Sequence, residues 1–210
     1  MIQIFDCEQN SPEWFAARMG IPTASNFAAI LAKGEGKTRR TYLLKLAGEV
    51  LIQRNNGRVP EGFTNDHLER GHELEPEARD LYSFLTDTEP KCIGFVRNGD
   101  KGCSPDSFIG PNGMLEIKTK LPHLLNDVIL KDDFPPEHKA QCQGGLWVCE
   151  REWIDIAIYW PGLPLFRKRA YRDEAYITNL AAEVNRFNVE LLETVEKISS
   201  YGSRRVRAAA

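Results

Sequence analysis

The apolar positions follow a helical period early in the chain, a strand period in the middle, and a helical period again at the end. Residues 25–31 form a short apolar run behind the break at Pro22 and predict a helix capped by Thr23 or Ser25. Leu43, Leu44, Ala47, Val50 and Leu51 share one face of a helix over 41–54, which Asn55, Asn56 and Gly57 terminate. A third helix is predicted over 65–85, with Pro76 marking a bend or a fresh first turn inside it. The period then shortens. Residues 92–96, 106–109 and 114–118 are β-type runs divided by Asn-Gly-Asp and Gly-Pro-Asn-Gly turns. Pro135 and Pro136 precede a helix from Glu137 to Trp147 or Cys149. Residues 153–160 alternate and are β-branched, and the Pro-Gly-Leu-Pro turn that follows leads into a partner strand over 165–171. A long amphipathic helix closes the pattern over 173–198. Its stripe, including Ile177, Leu180, Val184, Phe187, Leu191 and Val195, is assigned to core packing or a subunit contact. This order of elements predicts an α/β fold with a mixed β-sheet flanked by helices.

Length and charge narrow the classes. A chain of 210 residues fits one domain, predicted over 1–201, with a small basic tail over 202–210 expected to be disordered. A hydrophobic fraction of 42% and a charged fraction of 27% exclude a disordered chain, a collagen-like repeat and a coiled-coil rod. Thirty acids against 27 bases leave a net charge of −3, so nucleic acid is not gripped by a global positive field and needs a local basic groove. The five cysteines are odd in number and include no C-x-x-C pair, which predicts free thiols in a reducing compartment and no zinc knuckle. No leader-like segment opens the chain, and no apolar run of about 18 residues occurs, so a cytoplasmic protein with no membrane partner is expected.

The stretch from Cys103 to Lys118 carries the strongest chemical signal. On a strand over 114–118, Leu115 and Ile117 point one way while Glu116 and Lys118 point the other. Asp106 precedes a strand that the Gly-Pro-Asn-Gly turn folds back onto this one, which brings its carboxylate beside Glu116. Two hard carboxylates at one spot repel unless a cation lies between them, and oxygen donors suit Mg²⁺ or Mn²⁺ rather than zinc. Lys118, on the same face, is placed to orient or help deprotonate a water. The competing reading is a solvated surface hairpin.

Three other constellations accompany it. Glu75 and Arg79 stand one helical turn apart, as an exposed ion pair or as part of a site. His138 and Gln141 share a helical face. Trp14, Arg18, Thr23 and Ser25 combine a guanidinium with hydroxyls at a helix start, a ready phosphate seat, or else core packing and a plain N-cap. The glycine-bearing basic stretch 33–40 reads as a mobile loop, and Lys33, Lys37, Arg39 and Arg40 are its candidate DNA-backbone contacts.

These motifs resemble the lambda exonuclease family of phage recombination nucleases, also called the YqaJ-like viral recombinases, within the PD-(D/E)XK superfamily. Its W-x3-R-x-G-x2-T-A-S element corresponds to Trp14, Arg18, Gly20, Thr23, Ala24 and Ser25, and its G-x3-E-x3-R element to Gly71, Glu75 and Arg79. The S-P-D and L-E-x-K core corresponds to Ser104, Pro105, Asp106, Leu115, Glu116 and Lys118, and A-Q-x-Q then W to Ala140, Gln141, Gln143 and Trp147. The resemblance implies a restriction-endonuclease-like core and processive 5′-to-3′ digestion of one strand of linear duplex DNA, for recombination by single-strand annealing. It implies one or two Mg²⁺ ions, with Mn²⁺ as a substitute. Asp106, Glu116 and the Ile117 carbonyl would hold metal, and Glu75 would assist at a second ion. Lys118 and Gln141 would handle the attacking water. Arg18 and Ser25 would receive the 5′-phosphate. A homotrimeric ring, an annealing-protein partner and a phage or prophage origin in a bacterial host are also implied. The sequence departs from the pattern at Gly145, where the wider superfamily carries tyrosine, and at His138, where the type member has tyrosine. An endonuclease on the same core, or a catalytically silent DNA-binding scaffold, are the alternatives.

Overall fold

A computed structural model describes residues 1–32, 37–57 and 66–201. Lys33, with the rest of 33–36, and the tail 202–210 lie outside the described residues. The elements run β1 (Ile2–Phe5), α1 (Pro12–Arg18), a 3-10 turn (Ala24–Asn26), α2 (Phe27–Leu31), α3 (Lys37–Arg54) and α4 (Asp66–Thr86). Then come β2 (Phe95–Asn98), β3 (Lys101–Cys103), β4 (Ser107–Ile109), β5 (Gly113–Thr119) and α5 (Pro122–Lys131). A second 3-10 turn (Pro136–His138) leads into α6 (Lys139–Cys149), followed by β6 (Trp153–Tyr159), β7 (Phe166–Tyr171) and α7 (Glu174–Ser199).

The strands form two sheets. One is the antiparallel trio β1-β2-β3, and the other is the mixed sheet β4-β5-β6-β7, in which only β5 and β6 run parallel. Parallel neighbours need a crossover, and α5 and α6 supply it. Strand β5 is buried without alternation from Gly113 to Ile117 because helices cover both of its faces. Leu115 and Ile117 pack on one side with Ala78 and Tyr82 of α4 and with Ala157 and Tyr159 of β6. On the other side, Ile156 and Ile158 pack with Leu125 of α5, and Met114 and Ile154 join the main core with α6 and α7. Asp155 is buried under α4, where the Tyr82 hydroxyl donates to it at 2.6 Å and Arg169 grips both its oxygens.

Two expectations change. Lys37–Arg40 belong to α3 and not to a loop: the glycines at 34 and 36 suggested flexible chain, but the helix begins directly after them. Pro76, expected to mark a bend or a fresh first turn, lies inside the continuous helix α4 and starts no new one. Elements α1, α5, β1 and β3 were not foreseen. Helix α7 matches its pattern and is capped by Asp173, whose Oδ1 accepts the Tyr176 N–H at 3.0 Å.

Candidate active site

The register of β4 against β5 pairs Ser107 with Leu115. One step further along that antiparallel ladder, Asp106 stands across from Glu116. The Ile117 N–H donates to Asp106 Oδ2 at 2.5 Å, which pins the carboxylate against the β5 backbone. Glu116 is only 3% exposed, so the solvated-hairpin reading fails. Its Oε1 receives the Lys118 ammonium at 2.6 Å and the Gln141 amide at 2.5 Å. The alternation of β5 thus delivers Glu116 and Lys118 to the face covered by α6, and α6 answers with Gln141.

Glu75 approaches from α4. It is ion-paired to Arg79, whose Nε donates to Ser107 Oγ at 3.0 Å, and that hydroxyl donates to the Asp106 carbonyl at 2.6 Å. Ser107 therefore ties the α4 pair to the aspartate, a role that sequence reasoning missed because a serine after an aspartate carries no pattern. A cleft of about 660 Å³ opens here, lined by Glu75, Arg79 and Asp106 and walled by residues 6–10.

The electrostatics are those of crowded carboxylates. Burial, then the charges of Glu116 and Glu75, push the Asp106 carboxyl well above the usual carboxylate range, against the opposing pull of Lys118 and the Ile117 N–H. Burial pulls the Lys118 ammonium down, yet Glu116 and Asp106 outweigh it and hold its pKa above that of free lysine. His138 is pushed down to about 4 by burial and by Lys118, and its Nε2 is buried with no hydrogen-bond partner among the described residues.

Among the described residues, no three carboxylate, thiol or imidazole groups stand in ready metal-ligand geometry. Each carboxylate is tied internally: Glu116 to Lys118 and Gln141, Glu75 to Arg79, Asp106 to the Ile117 N–H. The donor set itself fits a hard divalent cation. The Glu116 charge raises the cost of ionising Asp106, and hard oxygen donors of this kind are what Mg²⁺ takes.

The Trp14 group lies beside this centre. The Trp14 indole N–H donates to the Gly94 carbonyl at 3.1 Å and to Ser104 Oγ at 2.8 Å, two residues before Asp106. The Arg18 guanidinium lies over the Trp14 ring, 4.0 Å from its centroid. Burial lowers the Arg18 pKa, with Tyr42 and Glu49 opposing. Thr23 Oγ1 and Ser25 Oγ are 3.2 Å apart, and the Asn26 amide donates to both at 3.2 Å. Ser25 does not open a regular helix, as expected, but sits inside the 3-10 turn that precedes the five-residue α2. Arg39 pairs with Glu190 of α7 at 2.6 Å, while Lys37 and Arg40 are exposed.

The two glutamines of α6 divide their work. Gln141 reaches Glu116, while Gln143 donates to the Tyr171 carbonyl at 2.9 Å and accepts the Asp173 N–H at 2.9 Å, fastening α6 to the β7–α7 junction. Gly145 explains its own departure from tyrosine: even a Cβ there would lie 3.1 Å from Met114 Cε and 3.3 Å from Cys103 Sγ, so the position packs against the sheet.

A mixed sheet carrying a carboxylate pair and a lysine at adjoining strand ends is a restriction-endonuclease-like core. The sequence profile of the YqaJ-like viral recombinase domain matches residues 13–152, and the chain belongs to that family. It is similar to an alkaline exonuclease from Laribacter hongkongensis, 29% identical over 95% of this chain and 100% of that one, with a TM-score of 0.80. Against the same protein in complex with dAMP the TM-score is 0.82. A phage related exonuclease from Haemophilus somnus 129PT shares the fold at 13% identity, over 85% of this chain and 96% of that one, with a TM-score of 0.62. No curated protein sequence matches. Among the described residues no helix is long and apolar enough to cross a membrane.

Proposed function

We propose that this protein is a Mg²⁺-dependent exonuclease that digests one strand of linear duplex DNA from its 5′-phosphorylated end. The observation that carries the reading is the convergence of Asp106, Glu116 and Lys118 on one end of the mixed sheet, with Gln141 on the same carboxylate oxygen. Membership of the viral recombinase family and the likeness to an alkaline exonuclease support it.

A bound divalent cation supplies charge neutralisation at the scissile phosphate and a hydroxide at neutral pH. Asp106, Glu116 and the Ile117 carbonyl would hold it, and Glu75 would serve a second ion. Lys118, whose ammonium meets Glu116 Oε1 at 2.6 Å, would orient the attacking water or help deprotonate it. Gln141, released from the same oxygen, orients that water. Arg18 and the hydroxyls of Thr23 and Ser25 receive the terminal phosphate. In this reading the working form is a homotrimeric ring, and the exposed single strand passes to an annealing protein in phage-type recombination.

The test is digestion of 5′-phosphorylated linear duplex and of covalently closed circular DNA, each in Mg²⁺ and in EDTA, with the label at either end of one strand. Mg²⁺-dependent loss from 5′ ends of the linear substrate alone is expected. Cleavage of the closed circle, or activity in EDTA, would sink the reading.

A further inference from the structure

Asp106 follows the Ser104–Pro105 turn, which belongs to no strand. The turn nevertheless has to present the Asp106 carboxylate to the Ile117 N–H. Its restraint comes from the far end of the sequence. Gln9 Nε2 donates to the Pro105 carbonyl at 3.2 Å and to the Ile93 carbonyl at 3.1 Å. Both amide hydrogens are thus spent, one on the residue immediately before Asp106 and one on the stretch leading into β2. The N-terminal segment lies close against that stretch. A Cβ at Gly94 would stand 2.2 Å from the Cys7 carbonyl oxygen and 2.8 Å from the Phe5 carbonyl oxygen, so only glycine allows the approach. Trp14 secures the same two stretches through Gly94 and Ser104. Gln9 itself faces the cleft that Glu75 and Asp106 line.

We propose that Gln9 is a positioning residue of the hydrolytic site, its amide fixing the Pro105 carbonyl and thereby the aim of the Asp106 carboxylate at β5. The proposal rests on the reading of Asp106 as a holder of the divalent cation. Without the amide, the Pro105 carbonyl loses its side-chain donor, and the segment that carries Asp106 is left to the Trp14–Ser104 contact and the Ile117 N–H. The cation then meets a poorly aimed ligand, and its affinity falls while the core stays intact.

The variant Gln9→Met keeps the volume and removes both donors. Mn²⁺ binding to the DNA-free protein is measured by calorimetry, the Mg²⁺ concentration for half-maximal digestion by rate, and the melting temperature in EDTA. The expected result is Mn²⁺ affinity weakened about fivefold or more, a matching rise in the Mg²⁺ requirement, and a melting temperature within a few degrees of wild type. Should Gln9→Met fold poorly, Gln9→Asn retains an amide too short to span both carbonyls and is expected to lose Mn²⁺ affinity to a smaller degree. Unchanged Mn²⁺ affinity in a folded variant overturns the proposal, whatever happens to the rate. A wild type that neither binds Mn²⁺ nor cuts DNA overturns the nuclease reading as well, so the two failures are distinguishable.

Discussion

At the scale of single residues, the site is built from groups held against their own preferences. The carboxyl of Asp106 has a raised pKa, so folding favours its protonated form; the stability it contributes is present at low pH and is lost as pH rises above the usual carboxylate range. His138 works in the opposite sense. Its folded pKa of about 4 lies below the unfolded value of about 6.5, so stability is lost as pH falls through that window. Asp106→Asn is therefore expected to raise the melting temperature at pH 8 in EDTA, and to abolish digestion in Mg²⁺. His138→Phe is expected to flatten the loss of melting temperature between pH 6.5 and 4. Melting curves across pH check both, and an Asp106→Asn protein less stable than wild type at pH 8 would contradict the crowding argument. Lys118→Ala should lower the rate about a hundredfold or more while Mn²⁺ still binds. Lys118→Arg should not restore it, since a guanidinium does not give up its proton. Single-turnover rates paired with calorimetry separate lost chemistry from lost metal.

Among elements, α6 shows how much a helix gives up to approach a sheet. Its Gly144-Gly145 pair costs helix propensity, yet a Cβ at Gly144 would fall 2.3 Å from Cδ2 of the fully buried Phe27. Gly144→Ala is expected to destabilise by about 1–3 kcal/mol through overpacking. Gly145→Ala, whose Cβ would meet flexible or soft atoms at 3.1 and 3.3 Å, should be milder, and chemical denaturation ranks the two. Helix α1 and the 3-10 turn make a second local unit. Arg18→Ala should slow digestion of 5′-phosphorylated ends about tenfold and narrow the gap to 5′-hydroxyl ends, because a charge-assisted contact is lost. Equal wild-type rates on the two kinds of end would remove the phosphate seat from the mechanism. Elements with strong periods were legible from sequence: α7, the 153–160 and 165–171 pair, and the strand of Glu116. Others were not, for physical reasons. Strand β3 is three residues long, and β1 is mostly exposed; both exist because they pair with β2. Helix α5 buries Leu125 but leaves Leu124 and Leu130 exposed, which blurs its period. The Asp106–Glu116 meeting was legible because a turn and an alternation rule suffice for it. The Gln9 contact was not, since it joins positions 96 residues apart and depends on tertiary packing.

For the whole molecule, a net charge of −3 sets the terms on which DNA is held. In the proposed function, enclosure makes up for this weak nonspecific grip, and three chains are the assembly proposed to supply it. Large apolar side chains left exposed, Phe84 on α4, Leu130 on α5 and Val189 and Leu192 on α7, are surface available for assembly. Sedimentation at working concentration should give the mass of three chains. Processive digestion by a species with the mass of one chain would refute enclosure.

The Trp14 side chain links two places that a strand-shortening machine must keep in step. Its indole N–H holds the turn that carries Asp106, while its ring face carries the Arg18 guanidinium. The proposed seat for the strand's end and the proposed point of hydrolysis are therefore joined through one rigid aromatic group and not through two independently moving loops. On the proposed function this makes a built-in ruler: the distance from end to cut becomes a property of the fold, so each stroke would remove the same length of strand whatever bases it bears.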